Sequence, residues 1–446
     1  MRRYLKTLMG AVVLAALWLG FNYYNKRKGE ETSKNAEKPK EMILPVKADQ
    51  VQSVTITPKD GQAFTLARDT NSKNWTITQP RKLAADQQEV SSYVESLVGT
   101  TVESVVDEHP SSVKDFDLDP PVTTLTVSTS GKPAELTLRI GDQTPTGDGL
   151  YAQTAGNPRL ITLPGYDKSV LEKTLFDLRD RHAATIDPDQ VQGIAVTYGA
   201  KSYTLTKNPE GYWDLALPPA VRADTFAVEN LTSQLRGLSM ASILAEDKTN
   251  TGPYGFAKPT LRVKLTSAAG AQSVVVGKKD GNQYDAMNSA LDPVFTITSD
   301  FVTAFEKDPA DLRDKGFFSF SSFDAKKVDL TTPKEHRVFE QQNFKWKQTA
   351  PSAKDETTEN MDALLSALTG LRATSFPKAT SGNLTPFGLA KPLYTLKATF
   401  GEKNQTQTVE IGSAGNKYYA RRDTDALPGE VTKETVEVID KALSAL

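Results

Sequence analysis

The sequence NWTITQP, residues Asn74–Pro80, determines the fold that we predict, because it occurs in related form three times. The other two stretches are YWDLALP at Tyr212–Pro218 and KWKQTAP at Lys345–Pro351. In each stretch a tryptophan stands five residues before a proline, and the fourth tryptophan of the chain lies in an N-terminal apolar stretch. Regular placement of the rarest large side chain predicts an internal repeat.

Counting forward from Trp75, Trp213 and Trp346 gives one register for the three copies. The shared positions are Pro80, Pro218 and Pro351 at five residues; Asp86, Asp224 and Thr357 at eleven; Gly99, Gly237 and Gly370 at twenty-four; and Pro121, Pro259 and Pro392 at forty-six. The sequence therefore predicts three tandem repeats, which are repeat 1 (48–182), repeat 2 (183–316) and repeat 3 (317–446).

Each predicted repeat contains a helix that follows the tryptophan. Asp86, Asp224 and Thr357 are residue types that cap helix N-termini, and apolar residues follow them at helical spacing. We expect Gly99 and its counterparts to end the helix in the left-handed conformation. A second amphipathic helix is expected at the end of each repeat, at Lys168–Leu178, Ser299–Leu312 and Glu434–Leu446.

The remainder of each repeat alternates apolar and polar residues, which is typical of antiparallel strands and hairpins. The expected fold class is α+β, with three tandem repeats, each a mainly antiparallel sheet packed with two amphipathic helices. Gly141, Gly277 and Gly412 are expected to end the second strand of a hairpin at a turn or bulge. The repeated tryptophans are expected to pack helix on sheet, and the alternative is an exposed platform for sugar rings or bases.

The N-terminus predicts a membrane anchor. Residues Thr7–Asn25 carry no charge, and basic residues flank them on both sides. A helix of this length spans about 28 Å, close to the thickness of the hydrocarbon core. We expect a transmembrane anchor at 1–25 and a charged flexible linker at 26–47, with the bulk of the chain outside the cytoplasm. The alternative is a cleaved signal peptide, for which no small-x-small site is present.

A Leu-Arg-Asp segment ends the first two repeats, in LFDLRDRH at Leu175–His182 and in PADLRDKG at Pro309–Gly316. Such a segment between units is interpreted as an inter-repeat connector made of Arg179, Asp180, Arg313 and Asp314. The hypothesis is that the two arginines bridge neighbouring repeats through carboxylates or helix C-terminal carbonyls.

The sequence predicts no catalytic, cofactor-binding or metal-binding residues. The formal net charge of −2 gives no sign of the concentrated basic surface that binds nucleic acid. The absence of cysteine excludes thiolate chemistry. The three histidines are far apart, and no nucleophile elbow or phosphate-binding loop occurs. Asp115, Asp117 and Asp119 have calcium-loop spacing, but Pro120 stands where that loop needs glycine. A pair of carboxylates for glycoside hydrolysis stays an open alternative, because only the geometry of the folded chain identifies such a pair.

The anchor, the charged linker, the Trp-x4-Pro stretches with their capped helices and the Phe116–Pro121 and Leu-Arg-Asp motifs together resemble a bacterial family, domain of unknown function (DUF) 4340. The resemblance covers nearly the whole chain after the linker. It implies a single-pass envelope protein of the bacterial inner membrane, with its bulk in the periplasm. Members are often encoded beside ABC-transporter and gliding-motility-type auxiliary subunits, and the family brings no catalytic residues with it.

The resulting hypothesis is a non-catalytic, membrane-tethered binding or assembly protein of the cell envelope. Its expected partners are the membrane and proteins such as an ABC-transporter permease, ATPase or auxiliary subunit, without nucleic acid or cofactor. The alternative hypothesis is a cell-wall glycan-binding module or glycoside hydrolase. Buried tryptophans favour the first hypothesis, and exposed tryptophans beside a carboxylate pair favour the second.

Overall fold

The computed structural model describes residues 41–131, 134–216, 220–377 and 383–446. The predicted anchor at 1–25, the linker up to residue 40 and Pro218 lie outside the described residues. In the part of the chain that is described, no helix is long and apolar enough to cross a bilayer. The chain divides into two compact units, a first unit that ends at Arg181 and a second unit from His182 to Leu446.

The first unit is built around one antiparallel sheet. Its strands are β1 (Val51–Pro58), β2 (Phe64–Arg68), β3 (Trp75–Gln79), β4 (Leu83–Ala84), β5 (Ser104–Asp107), β6 (Thr123–Thr129), β7 (Glu135–Gln143), β8 (Gly149–Thr154) and β9 (Leu160–Pro164). Their spatial order is β4-β3-β2-β1-β6-β7-β8-β9-β5. The fifth strand thus crosses over to close the far edge beside β9.

The second unit contains two further sheets. The second sheet consists of β10 (Val191–Tyr198), β11 (Lys201–Lys207), β12 (Trp213–Leu215), β13 (Val221–Arg222), β14 (Ser242–Ala245), β15 (Leu261–Ser267), β16 (Gly270–Asp280), β17 (Gln283–Asn288) and β18 (Val294–Thr298). The third consists of β19 (Ala325–Thr331), β20 (His336–Gln342), β21 (Lys345–Ala350), β22 (Lys354–Glu356), β23 (Tyr394–Phe400), β24 (Gln405–Ala414), β25 (Lys417–Arg422) and β26 (Gly429–Val431).

The strand order is the same in all three sheets. The second sheet runs β13-β12-β11-β10-β15-β16-β17-β18-β14, and the third runs β22-β21-β20-β19-β23-β24-β25-β26. In place of a ninth strand, Ser375 forms an isolated antiparallel bridge with Glu430 of β26. The fold is therefore a sheet-rich α+β fold of three mainly antiparallel sheets.

Helices occur in two stretches of each sheet region, one after its fourth strand and one after its last strand. They are α1 (Gln87–Gly99), α2 (Lys168–Leu171), α3 (Leu175–Leu178), α4 (Thr225–Arg236), α5 (Ser299–Phe305), α6 (Thr358–Thr369) and α7 (Lys433–Ser444). The side chains of Asp86, Asp224 and Thr357 accept hydrogen bonds from backbone N–H groups in the first turns of α1, α4 and α6. These bonds satisfy donors that a helix start otherwise leaves unpaired.

The second helices differ from the sequence prediction in the first two sheet regions. The expected helix Lys168–Leu178 is split into α2 and α3, because Thr174 forms a new N-cap and a capping box with Asp177. The expected helix Ser299–Leu312 ends at Phe305, and Pro309–Leu312 forms a 3-10 turn. Pro309 explains this break, since proline disfavours helical geometry at the preceding residue.

The glycines at the helix ends do not adopt the left-handed conformation expected for them. Gly99 is the last helical residue of α1, and Gly237 and Gly370 have φ values of −83° and −80°. At Gly370 the reason for glycine is space, because a Cβ would lie 3.0 Å from the Ser366 carbonyl oxygen. A Cβ at Gly99 would meet nothing within 4 Å.

Three glycines allow a turn to lie directly on the sheet. Gly141, Gly277 and Gly412 lie inside β7, β16 and β24, and not at the ends of these strands as expected. The expected bulge is present at the first two, where the strand register shifts between Ile140 and Gln143 and between Val276 and Lys279. A Cβ at Gly141 would lie 2.0 Å from the Phe116 carbonyl oxygen, and one at Gly277 would lie 2.0 Å from that of Tyr254. Only a residue without a side chain allows so close an approach of two backbones.

The tryptophans stand near the starts of β3, β12 and β21. Trp75 and Trp346 are buried in the same apolar cores as the inner faces of α1 and α6, and Trp213 is half-buried. In the first unit, the Gln87 side-chain amide at the start of α1 accepts from the Trp75 N–H (2.7 Å) and donates to the Trp75 carbonyl (2.9 Å). The tryptophan strand and the capped helix are therefore joined by both packing and hydrogen bonds.

Candidate functional site

The Leu-Arg-Asp segments are bound to the caps of the helices. In each unit two backbone hydrogen bonds join the segment to the residues just before the capped helix. They are Asp180 N–H to Ala84 O (2.9 Å) and Asp86 N–H to Leu178 O (3.0 Å) in the first unit, and Asp314 N–H to Arg222 O (2.9 Å) and Asp224 N–H to Leu312 O (2.8 Å) in the second. In both units, the Leu-Arg-Asp segment therefore has the same role: it fixes the start of the capped helix of its own repeat by backbone hydrogen bonds.

In the second unit, the Leu-Arg-Asp segment also contacts the region of the third sheet, through the side chain of Arg313. The Arg313 side chain is buried, its guanidinium carbon lies 3.5 Å from the centre of the Phe376 ring, and Nη2 donates to the Leu427 carbonyl at 3.1 Å. The hypothesis placed a carboxylate or a helix carbonyl opposite this arginine. Its direct contacts are a ring and a loop carbonyl, and the Asp425 carboxylate acts on it electrostatically. Burial lowers the pKa of Arg313 to about 10.

Asp314 is the point at which arginines of two sheets meet. Its Oδ2 accepts from Nη2 of Arg422 at 2.5 Å, and Nε of Arg222 lies 3.8 Å from the same oxygen. Arg222 ends β13 of the second sheet and Arg422 ends β25 of the third. Arg422 is buried and also donates to the carbonyls of Phe317 and Gly316. One carboxylate therefore joins two cations that come from different sheets.

Side-chain contacts extend this junction towards the surface. The Arg222 guanidinium stacks on the Tyr212 ring at 3.7 Å and donates from Nη1 to the Ser319 hydroxyl at 3.2 Å. The Gln407 amide of β24 donates to the same hydroxyl at 2.5 Å. The second and third sheets are thus held together by a continuous polar network.

A cleft of about 630 Å³ opens beside this network. Residues from both sheets line it, including Glu210, Tyr212 and Asp214 from one and Phe400, Asp423 and Asp425 from the other. Asp425 lies 3.6 Å from Nη1 of Arg422, and burial raises the pKa of its carboxyl group. The cleft is thus lined by positively and negatively charged hydrogen-bonding groups and by two aromatic rings.

The predicted positions fall into two groups. Arg313 and Asp314 come together at the junction, and Asp224 joins it through Arg372 Nη2 at 3.8 Å. The tryptophans, the glycines and the described prolines lie in the sheet regions of their own repeats. The Gln79–Pro80 and Ala350–Pro351 peptide bonds are cis. The remaining shared prolines each stand two residues before a strand, and they are Pro121 before β6, Pro259 before β15 and Pro392 before β23.

In the first unit Arg179 is also buried, and its N–H donates to the Leu175 carbonyl at 3.1 Å. Three residues of the junction were missed by sequence reasoning, namely Arg222, Arg422 and Asp425. No repeat signal marks them, since the position nine residues after the tryptophan holds Ala84, Arg222 and Asp355 in the three copies. Among the described residues, no group of three or more histidine or acidic side chains could hold a metal ion.

The fold and junction define a protein of tandem antiparallel sheets, two of which are joined by a buried arginine–aspartate network. The family model described as Domain of unknown function (DUF4340) matches residues 75–218 and 213–392, which is more than half of the chain. The chain belongs to this family. Both matches begin at a repeated tryptophan. No curated protein matches the chain.

Proposed function

We propose that this protein is a non-catalytic, membrane-tethered binding or assembly protein of the bacterial cell envelope. In this proposal it is an accessory component of an ABC-type transport or surface-assembly system. Residues 1–25 form the anchor and the chain up to residue 40 forms the linker, whereas Ile43 and Leu44, which the sequence placed in the linker, pack in the core of the first unit. The three repeats are exposed on the periplasmic side of the inner membrane.

The observation that supports this proposal is the state of the charged groups at the junction. Arg422 has hydrogen-bond acceptors on the protein for Nε and Nη2, and Asp314 accepts from it. A group that moves protons or attacks a substrate needs an approachable side chain in a suitable geometry. The junction groups are bound to each other, which favours a fixed support for a partner over a reaction centre.

The cleft is the surface that we assign to the partner. Its lining mixes carboxylates, amides, hydroxyls and two rings, as polar protein interfaces do. Because it is formed by both sheets, the same network that joins the sheets also fixes the shape of the cleft. A partner would then bind a preorganised surface at low entropic cost.

Affinity purification from native membranes with crosslinking tests this proposal. A Thr406→Arg/Thr424→Arg double variant places two large cations on exposed residues of the cleft, and Thr303→Arg on α5 is the matched control. We expect the unchanged chain and the control to recover an ATPase and its permease, and the double variant to lose them. Recovery that is equal for all three chains would contradict the cleft assignment.

The second candidate function is a glycan-binding module or glycoside hydrolase of the cell wall. Four carboxylates line the cleft, and burial raises the pKa of Asp425, as required of a general acid. Calorimetry and product analysis with cell-wall glycan fragments test this alternative. Hydrolysis that Asp425→Asn abolishes would establish it and would overturn the non-catalytic proposal.

A further inference from the structure

The turns before the three repeated tryptophans differ in length and surface, but they share one left-handed backbone position. Two residues before the tryptophan, φ is positive in all three copies, at 62° for Lys73, 91° for Gly211 and 62° for Phe344. This left-handed region suits glycine and is unfavourable for a side chain with a bulky ring. Phe344 nevertheless occupies it, and its ring is 89% exposed.

A second exposed phenylalanine is found when the three copies are compared at another turn. A 3-10 turn precedes the first strand of each sheet, and its middle residue is Asp49 in the first, Asp189 in the second and Phe323 in the third. Phe323 is 92% exposed. Two surface positions that are polar or glycine in the first two copies are therefore both phenylalanine in the third.

Strand register places these two residues at one end of the third sheet. Lys327 of β19 pairs with Glu340 of β20. Phe323 lies four residues before Lys327, and Phe344 lies four residues after Glu340, so both lie beyond the same ends of the paired strands. The β23–β24 turn is also there, since Gly401 N–H donates to the Asp324 carbonyl at 3.0 Å. We call this region the Phe323–Phe344 end.

Lysines accompany the rings. Lys326, Lys345 and Lys403 are exposed at this end, and the exposed acidic residues within the same three turns are Asp324 and Glu402. Lys326 Nζ donates to the Asn404 side chain at 3.1 Å, which directs one of the cations to the β23–β24 turn. The region therefore combines protruding aromatic rings with a small excess of positive charge.

We propose that the Phe323–Phe344 end inserts its two rings into the interface of a bilayer that contains anionic lipids. The rings gain no burial within the fold, and the backbone of Phe344 is strained, so folding alone does not explain them. Aromatic rings beside lysines match the headgroup region, where apolar groups enter the acyl boundary and cations meet anionic lipid.

The polar neighbours of the two rings favour a bilayer over a protein partner. Polar residues flank them, namely Ser321 and Ser322 beside one ring and Gln342 and Asn343 beside the other. A stable protein interface needs a continuous surface of about 800 Å² on each partner. A bilayer accepts single protruding rings one at a time. The inference rests on the membrane location in the proposed function.

The absence of cysteine permits a clean test on the full chain. Gln342→Cys next to the β20–β21 turn is labelled with an environment-sensitive fluorophore, and Asn71→Cys in the exposed β2–β3 turn of the first unit is the control. Both chains are reconstituted into vesicles of phosphatidylcholine with phosphatidylglycerol, with brominated lipid as quencher. We expect a blue shift and quenching at position 342, neither at position 71, and a weaker signal in phosphatidylcholine alone.

Substitution of the rings tests their contribution. In the labelled Gln342→Cys chain, each of Phe323→Ser and Phe344→Ser is expected to weaken the lipid contact by about tenfold, the factor that corresponds to burial of one such ring. Phe226→Ser removes an exposed ring from α4 and should leave the contact unchanged. Equal signals at positions 342 and 71, no lipid signal at 342, or an equal loss from Phe226→Ser would overturn the proposal.

The anchor and the contact can fail separately in this experiment. Recovery of the chain with the vesicles reports the predicted anchor, whereas the fluorophore at position 342 reports the contact. A chain that is recovered with vesicles but gives no quenching would contradict only the contact. Quenching by a chain whose first 25 residues prove not to span the bilayer would support the contact and contradict the anchor.

Discussion

The hairpin turns before Trp75 and Trp346 share one left-handed position and present opposite surfaces there. Lys73 and Phe344 share a φ of 62°, yet one presents a cation to water and the other presents a ring. By contrast, Gly141 and Gly277 lie under equivalent turns with the same 2.0 Å requirement. The interior of each copy is constrained by packing, while the outer positions are free to take on different tasks.

The largest expected effect comes from the tryptophans. Trp346→Ala should lower the free energy of unfolding of the second unit by about 4 kcal/mol, because it empties a buried core site. Trp213→Ala, at the half-buried tryptophan of the same unit, should lower this free energy by about 2 kcal/mol, since less apolar area is lost. Denaturant unfolding followed by circular dichroism measures both. Equal costs would mean that the two indoles have equivalent surroundings in solution.

Removal of the shared carboxylate should have the next largest effect. Asp314→Ala removes the nearer of the two carboxylates beside buried Arg422, and we expect a loss of about 3 kcal/mol in the free energy of unfolding. Asp311→Ala removes an exposed aspartate from the same connector and should change it little. An Asp314→Ala chain as stable as the control would show that the arginines find other partners.

The glycines beneath the turns test the claim that the interior is constrained. Gly277→Ala should destabilise the second unit by about 2 kcal/mol, because the new methyl group forces the Tyr254 carbonyl away from the strand. Gly237→Ala is the control, since its Cβ would meet only the Ser233 carbonyl at 3.7 Å. Thermal unfolding of the two variants compares them directly, and equal midpoints would contradict the close approach.

The smallest effect should be a gain in stability. Phe344→Gly relieves the left-handed strain and should raise the free energy of unfolding by about 1 kcal/mol. The same variant should weaken the lipid contact, so stability and binding change in opposite directions. A Phe344→Gly chain with lower stability would show that the ring packs within the fold and would remove the reason for assigning it a partner.

Much of the fold was predictable because its signals are local and repeated. Alternation of apolar and polar residues indicated antiparallel sheets, and capping residues next to apolar helical faces indicated the helices. The break after Phe305 escaped prediction although Pro309 was visible in the sequence. The crossover of β5 and β14 to the far sheet edges also escaped it, since pairing over long sequence distances leaves no local pattern.

The junction was only half predictable. Arg313 and Asp314 stood out because Leu-Arg-Asp occurs twice, but Arg222 and Arg422 occur at unrepeated positions in strands that meet only after folding. An internal repeat reveals only the residues that the copies share. Most residues of the junction between the second and third sheets are not shared by the copies, so the repeat does not reveal them. The exposed rings were missed for the same reason, since each occurs in one copy alone.

The crossover strand has a consequence for how the chain folds. β5 follows α1 but pairs with β9, which begins more than fifty residues after β5 begins, and β14 pairs with β18 across a similar distance. The far edge of such a sheet cannot be completed before its last strand has been synthesised, whereas the meander of its first four strands pairs locally. Long-range pairing of this kind slows folding. We therefore expect the far edge of each sheet to form last as the chain emerges, and the fifth strand to need protection from aggregation until then.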